Sequence, residues 1–312
     1  MLRRLVAIVG PTASGKSSVA MELALELGGE IVNADSRQVY RGMDIGTAKP
    51  SLADRRRVRH HLFDICAPDE TYSLGRFKRD ALAALDEIWA RDAFAWLAGG
   101  TGQYAWALLE DWNVPEVPPD TALRAELEAF AAERGHDALH ARLAAIDPEA
   151  AERIDARNVR RVIRALEVER HTGVPMSAWQ TRGSPDFEYL LFGMDVPLPE
   201  LDARIDARVD AMFVAGFVDE VRALLDAGLS PVSSSMASIG YAEVARHLAG
   251  EFTLEAAIDE TKRATRRLAR RQQQWFRRED RRITWVRDAQ DIEMHANIFT
   301  GACTNTIRGA RR

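Results

Sequence analysis

The segment at residues 10–17, GPTASGKS, constrains the fold of this chain more than any other feature, because it matches the pattern G-x-x-x-x-G-K-[ST] in full. The apolar run LVAIV precedes it at residues 5–9, and apolar residues recur at helical spacing over residues 17–27. In a strand–loop–helix turn of this kind, backbone N–H groups surround phosphate oxygens and the start of the helix adds positive potential. The sequence therefore predicts an α/β fold whose first loop binds a phosphorylated ligand.

Residue types within this loop indicate separate roles. Lys16 is expected to reach the outer phosphate, and Ser17 is expected to hold Mg²⁺ through its hydroxyl. The loop predicts a phosphorylated ligand without specifying a nucleoside triphosphate. The candidate phosphate-binding residues are Gly10, Pro11, Thr12, Ala13, Ser14, Gly15, Lys16 and Ser17.

Strand and helix patterns alternate along the first third of the chain. Strands are predicted at residues 31–34, 61–65 and 94–98, and a helix at residues 74–91. Alternation of this kind favours a mostly parallel sheet flanked by helices. The sequence thus predicts a P-loop core over residues 1–115.

The pattern changes after about residue 110. The run PEVPP at residues 115–119 breaks the chain, and residues 121–171 read as helix throughout. A strand follows at residues 189–196, then helices at 198–215, 217–227, 240–248 and 254–278, and a last strand at 283–286. We therefore expect an all-helical insertion domain at residues 116–188, and a second part of the core at residues 189–312.

Charge is unevenly distributed along the chain. The net charge of −5 argues at face value against a nucleic-acid partner. Residues 261–282, however, contain ten Lys and Arg against two acids, so this segment carries +8 and the remainder −13. A compact basic segment on an acidic protein suggests a polyanion contact, and a solvated helix face is the alternative.

Cysteine content and hydropathy indicate the compartment. Cys66 and Cys303 are too few for a disulfide framework or a zinc site. No stretch approaches the length that spans a membrane. We therefore expect a cytoplasmic protein without a membrane partner.

Asp35 follows the strand predicted at residues 31–34, at the edge where α/β sheets bind their ligands. A P-loop kinase usually has a second magnesium-binding acid after an apolar strand, but the strand at residues 94–98 is followed by GGTG. Position alone leaves three roles open for Asp35: a magnesium ligand, a general base, or a side-chain cap of the next turn.

Six segments, in order from about residue 5 to 286, carry a family resemblance. They are GPTASGKS, ADSRQVYRGMDIGTAKP, GGTGQY at residues 99–104, RALEV at 164–168, SIGYAEV at 238–244 and ATRRLARRQQQWFR at 264–277. Together they resemble the bacterial tRNA dimethylallyltransferases, also called tRNA isopentenyltransferases. The resemblance implies transfer of a dimethylallyl group from dimethylallyl diphosphate to N6 of adenine 37, next to the anticodon, in tRNAs that read codons starting with U.

The same resemblance assigns roles to individual residues. Lys16 stabilises the departing diphosphate, Asp35 accepts the N6 proton, and Thr101 lies between phosphate and acceptor. Arg204 and Arg208 are expected to reach the diphosphate, and a surface ion-pair network with Asp202 and Asp206 beside them is the alternative. The implied tRNA contacts are Asp35, Ser36, Arg37, Gln38, Thr101, Leu123, Arg160, Arg161, Val162, Ile163, Arg164, Gly240, Tyr241, Arg266 and Arg270. The implied cofactor is Mg²⁺, and the implied partners are dimethylallyl diphosphate and the tRNA anticodon stem-loop. We expect the protein itself to be a monomer.

Three other functions remain to be weighed. An adenylate isopentenyltransferase, which prenylates free AMP, ADP or ATP, would need neither the helical insertion nor the basic segment. A small-molecule kinase would share the phosphate loop, but the missing acid after residues 94–98 argues against it. A non-catalytic RNA-binding module would have no use for Asp35 beside a complete phosphate loop.

Overall fold

The computed structural model describes residues 3–179 and 181–300. The chain divides into two compact units, one formed by Met1–Leu109 with Pro185–Arg312 and the other by Glu110–Ser184. Within the described residues, none of the helices has both the length and the apolar composition needed to cross a membrane. Cys66 is a buried free thiol, and Cys303 lies outside the described residues.

A six-stranded sheet of order β3-β2-β4-β1-β5-β6 forms the centre of the first unit. Its strands are β1 (Arg4–Val9), β2 (Glu30–Asn33), β3 (His60–His61), β4 (Ala95–Gly99), β5 (Glu188–Met194) and β6 (Thr284–Val286). Every pairing between these strands is parallel. The apolar run in β1 is buried almost throughout because helices cover both faces of the sheet. The predicted parallel sheet flanked by helices is thereby confirmed.

Fourteen helices are present among the described residues. They are α1 (Lys16–Leu27), α2 (Leu52–Arg57), α3 (Leu74–Ala90), α4 (Gly102–Leu109), α5 (Thr121–Arg134), α6 (His136–Ile146), α7 (Pro148–Arg153), α8 (Val159–Thr172), α9 (Met176–Trp179), α10 (Leu198–Val214), α11 (Phe217–Asp226), α12 (Tyr241–Leu248), α13 (Leu254–Gln273) and α14 (Ala289–Thr300).

The last long helix, α13, ends earlier than its sequence pattern predicts. Residues 254–278 were expected to be helical, but the backbone tightens after Gln273, where Gln274 donates to the carbonyl of Arg271 and Trp275 to that of Gln272. Bonds between residues three apart are typical of a closing 3₁₀ turn. The basic residues after Gln273 therefore lie beyond the helix.

Three ion pairs join α13 to the antiparallel helix α10. Lys262 pairs with Asp210, Arg266 with Asp206 and Arg270 with Asp202. The three basic residues recur every four positions on α13, and the three acids do so on α10. Each row therefore lies along one face of its helix. The acidic row of α10 thus pairs with three of the ten basic residues of the basic segment within the protein itself.

The second unit has its own apolar core and one buried carboxylate. Its core includes Leu127, Leu139 and Leu143. The side chain of Glu167 is buried and accepts hydrogen bonds from Arg124 at 2.7 and 2.8 Å and from Arg164 at 2.6 Å. Burial raises the pKa of Glu167, but these hydrogen bonds outweigh burial and lower the pKa to about 2.

Candidate active site

The phosphate loop occupies the turn between β1 and α1. Its backbone is left-handed at Ala13, with φ of 62°, and at Gly15, with φ of 91°. Gly15 precedes α1, and no side chain among the described residues caps that end of the helix. The first N–H groups of α1 are therefore open to an anion, as the sequence motif predicts.

Lys16 is buried beneath this loop. Its Nζ donates to the carbonyl of Pro11 at 3.1 Å. The pKa of Lys16 is lowered to about 8, because burial and the charge of Arg208 lower it more than Asp35 raises it. An anion bound in the loop would offset both the burial and the repulsion from Arg208, so Lys16 is suited to a charged phosphate.

Two arginines of α10 approach the phosphate loop from outside. Arg208 donates to Thr12 Oγ1 at 3.3 Å and to the Thr47 carbonyl at 3.4 Å, and burial lowers its pKa. Arg204 lies 3.5 Å from the Ser14 carbonyl and pairs with Glu200 at 2.6 Å. Their neighbours on α10, Asp202 and Asp206, pair with α13 instead of with Arg204 and Arg208. The ion-pair network is therefore present, with Arg204 joined to it through Glu200, and contact of both arginines with diphosphate stays a prediction.

A cavity of about 770 Å³ lies over the loop. Its lining includes Lys16, Ser17, Asp35, Arg204 and Arg208. Three of these side chains are cationic, so the cavity is suited to an anion. Among the described residues, no group of three or more His, Cys, Asp or Glu side chains is arranged to hold a metal. Mg²⁺ commonly takes one or two protein ligands together with phosphate oxygens and water, and the Ser17 hydroxyl fits that arrangement.

Asp35 lies at the boundary between this cavity and a second one. The second cavity, of about 410 Å³, is also lined by Asp35, together with Arg37 and Thr101. One carboxylate oxygen, Oδ1, accepts the Arg37 N–H at 2.9 Å, which confirms the turn-capping role. Its other oxygen, Oδ2, accepts no hydrogen bond from the described residues. Asp35 therefore caps a turn with one oxygen and retains the other for a ligand.

Thr101 is brought beside Asp35 by the pairing of β2 with β4. The Thr101 N–H donates to the Ala34 carbonyl at 3.2 Å, and Thr101 Oγ1 accepts the Ser36 N–H at 3.0 Å. Gly99 permits this approach, because a Cβ there would lie 2.2 Å from the Ala34 carbonyl oxygen. The carboxyl ends of two parallel strands thus bring together the two polar residues that the sequence singled out.

Glu220 organises the loop that follows Asp35, although the sequence analysis missed it. Its carboxylate accepts the N–H groups of Asp44, Ile45 and Gly46 at 2.9, 2.7 and 3.2 Å, and the hydroxyl of Tyr241 at 2.6 Å. The loop is more than 170 residues away in the chain, so no local pattern connects it with Glu220. Gly46, beside Tyr241, lines the second cavity. Glu220 therefore holds part of the cavity wall.

Several predicted tRNA contacts of the first unit have structural partners. Tyr241 is buried and donates to Glu220, so its side chain supports the loop while also bordering the second cavity. Gln38 is buried, and its Nε2 donates to the carbonyls of Thr47 and Ala48. Gly240 starts α12 with φ of 89°. Tyr241 and Gln38 therefore support the site through these bonds, and because each also borders a cavity, their contact with tRNA stays a prediction.

Arg266 and Arg270 also have partners, because both are paired with α10. Both side chains stay partly exposed, so their contact with tRNA stays a prediction, with part of their charge already neutralised. Arg271, in contrast, is exposed, forms no ion pair with any described residue, and lines the second cavity with Trp275. Its charge is therefore available to an incoming phosphate at this cavity, which Arg37 and Arg208 also line.

The predicted contacts on the second unit divide in the same way. Val162 and Ile163 are buried in its core, so their side chains cannot contact RNA, and these assignments are corrected. Arg164 donates to the Val117 carbonyl at 3.0 Å and to Glu167. Arg160 and Arg161 are exposed and form no ion pair with described residues. A helix must bury one face, and the RRVIR segment contributes to both faces of α8. Leu123 is half-buried against the same core.

The fold and site together define a P-loop enzyme whose site has two cavities that share Asp35. We call the one over the phosphate loop, lined by Lys16, Arg204 and Arg208, the cation-lined cavity. The chain matches the family model described as IPP transferase over residues 38–279, and the one described as Isopentenyl transferase over residues 3–64. It belongs to the IPP transferase family.

Individual relatives agree with this assignment. A protein of Roseiflexus sp. (strain RS-1), named tRNA dimethylallyltransferase, is 49% identical over 94% of this chain and 96% of its own. The crystal structure of a tRNA isopentenylpyrophosphate transferase from Bacillus halodurans is 40% identical, has a TM-score of 0.69 and covers 96% of each chain. A eukaryotic dimethylallyltransferase solved while acting on tRNA has a TM-score of 0.79 at 26% identity, over 99% of this chain and 80% of that one.

Proposed function

We propose that this protein is a tRNA dimethylallyltransferase. It transfers the dimethylallyl group of dimethylallyl diphosphate to N6 of adenine 37, next to the anticodon, in tRNAs that read codons starting with U. The products are the N6-dimethylallyl adenine and diphosphate. The observation that carries the proposal is the position of Asp35, whose carboxylate borders both the cation-lined cavity and the second cavity.

The diphosphate binds in the cation-lined cavity. Breaking the allylic C–O bond leaves negative charge on the diphosphate and positive charge on carbon. Lys16, Arg208 and the N–H groups at the start of α1 stabilise the departing anion, because they are already directed at its binding site. When bound, Mg²⁺ held by the Ser17 hydroxyl supplies further positive charge to the diphosphate oxygens.

The acceptor adenine enters the second cavity. Its N6 amine is a poor nucleophile because the lone pair is delocalised into the ring. Asp35 orients the amine by accepting a hydrogen bond from N6–H, and takes that proton as the C–N bond forms. Thr101 lines the second cavity beside Asp35. The carboxylate therefore acts at the point where donor carbon and acceptor nitrogen meet.

The RNA contacts are proposed on cations that form no ion pair with described residues; Arg271, Arg160 and Arg161 are exposed, and Arg37 is half-buried and donates to the Ser234 carbonyl. In the first unit, Arg271 and Arg37 line the cavity that receives the adenine. In the second unit, Arg160 and Arg161 are exposed on α8 and available to the stem-loop backbone. Phosphate contacts of this kind make binding dependent on salt. The enzyme acts as a monomer in the cytoplasm under this proposal.

A transfer assay with three acceptors tests this function. The protein is incubated with Mg²⁺, labelled dimethylallyl diphosphate, and either an unmodified tRNA, the same tRNA with guanine at position 37, or AMP. We expect label on the first acceptor alone. Label on AMP alone would identify a free-nucleotide isopentenyltransferase, and label on both tRNAs would contradict the assignment of adenine 37.

A further inference from the structure

Gln272 connects two distant parts of the site through one side chain. It is 8% exposed at the end of α13. Its Oε1 accepts the backbone N–H of Thr12 at 2.7 Å, and its Nε2 donates to the Gly100 carbonyl at 2.9 Å. A side-chain amide carries both an acceptor and donors in one plane, so it satisfies both backbone groups at once.

These two backbone groups belong to opposite sides of the reaction. Thr12 is part of the phosphate loop, and its hydroxyl accepts from Arg208. Gly100 directly precedes Thr101, beside Asp35. A Cβ at residue 100 would lie 2.5 Å from Nε2 of Gln272, so glycine lets the amide approach. The bridge therefore joins the loop that holds the donor to the turn that borders the acceptor.

The residues around Gln272 face the acceptor side as well. Arg271 and Trp275 line the second cavity, and Gln272 borders it too. Trp275 also packs against the turn, because a Cβ on Gly102 would lie 2.2 Å from its ring. The end of α13 thus contacts both the phosphate loop and the acceptor cavity.

We propose that Gln272 is a positioning residue, which sets the separation between the bound diphosphate and the acceptor amine. The inference rests on the proposed transfer reaction. Gln272 touches neither reacting atom and acts through Thr12 and Thr101. Its loss should leave the binding of each substrate nearly intact and slow the chemical step, because a misplacement of about 1 Å costs about a hundredfold in rate.

Two variants and a matched control test this role. Gln272→Met keeps the volume and removes both hydrogen bonds, whereas Gln272→Glu keeps an acceptor for Thr12 and loses the donor to Gly100. Gln274→Met is the control, since Gln274 is exposed at the same helix end and its side chain makes no hydrogen bond with described residues. Single-turnover transfer rates, the Kd for inorganic diphosphate, the Kd for tRNA and the thermal midpoint are measured for each protein.

We expect both Gln272 variants to lose about 10- to 100-fold in single-turnover rate. Both Kd values should stay within about threefold of wild type, because the phosphate-facing N–H groups and Arg271 are unchanged. The control should match wild type in every measurement. If the methionine variant does not fold, the glutamate variant carries the same expectation.

Other outcomes overturn the inference. An unchanged single-turnover rate in the Gln272 variants would show that the bridge does not position the substrates. A loss confined to diphosphate affinity, or one shared by the Gln274 control, would assign Gln272 to binding or to stability. Wild-type protein without transfer activity would overturn the proposed function itself, a result distinct from either of these.

Discussion

Replacing Asp35 with asparagine separates its chemistry from its role in the backbone turn. Oδ1 of Asp35 accepts the Arg37 N–H, and an asparagine carbonyl oxygen accepts the same bond. Asp35 is itself held by a bond from its N–H to Asn33 Oδ1, which the change leaves in place. Asp35→Asn therefore retains the local geometry and removes the proton acceptor.

The expected loss follows from the contribution of a positioned base. General base catalysis supplies about 10²- to 10⁴-fold in rate. At about 1.36 kcal/mol per tenfold, the barrier should rise by about 2.7 to 5.4 kcal/mol. The alanine variant also leaves the Arg37 N–H without its partner, which costs about 1 to 3 kcal/mol in stability. We thus expect comparable losses of turnover in both variants and a lower thermal midpoint only for alanine.

A second effect appears in the pH dependence. Lys16 must be protonated to stabilise the diphosphate anion, so kcat/KM for dimethylallyl diphosphate should fall as pH rises through its pKa of about 8. Asp35 raises that pKa, whereas burial and Arg208 lower it. Removing the carboxylate charge therefore moves the alkaline fall of kcat/KM to lower pH.

The assay compares wild type with Asp35→Asn from about pH 6 to about pH 9. It records kcat, kcat/KM and, at the acidic end where Lys16 is protonated in both, the Kd for inorganic diphosphate. Turnover within a few-fold of wild type would refute the base assignment. A fall of kcat/KM at the same pH in both proteins would refute the coupling between Asp35 and Lys16.

Three further predictions concern the charged groups around the site. Arg271→Glu should weaken tRNA binding and reduce the slope of log K against log salt concentration by about 1. Arg266→Glu should mainly lower the thermal midpoint, because the new carboxylate faces Asp206. Equal salt slopes for the two variants in filter binding would contradict this prediction. Glu220→Ala should destabilise the loop at residues 44–46, seen as faster limited proteolysis there with a reduced kcat/KM, and unchanged cleavage would count against it. Glu167, whose pKa is lowered to about 2, should stabilise the chain fully above its ordinary pKa of about 4.5 and lose this effect as pH falls towards about 2; a circular-dichroism titration that is identical in Glu167→Gln would disprove it.

Local sequence patterns were sufficient for the phosphate loop and for the sheet. The residues of the phosphate loop are contiguous in sequence, so a motif identifies them. The continuous apolar run of β1 indicates a strand that is buried on both faces of the sheet. Asp35 was recognised because the end of a parallel strand is a ligand-binding position in any α/β sheet. Short helices such as α2, which has no buried residue, left no apolar periodicity to detect.

Groups that act on the main chain of remote segments were not predictable. Glu220 and Gln272 satisfy backbone N–H and C=O groups of distant loops, and a backbone group has no residue type that a motif could encode. The charge count was incomplete for a related reason. It registered the basic residues of α13 but not that Arg266 and Arg270 face acids some 60 to 68 residues earlier in the chain.

The ion pairs between α10 and α13 also specify a register. A shift of α13 by one turn would place Ile258 opposite Asp210 and deprive Arg270 of its acid, and a shift the other way would place Gln274 opposite Asp202. Either shift would carry the amide of Gln272 about 5.4 Å along the helix axis, out of reach of Thr12. Partly exposed ion pairs add little to stability, about 0 to 1 kcal/mol each. Their larger consequence is to select the one alignment of two helices in which the phosphate loop and the acceptor turn are joined.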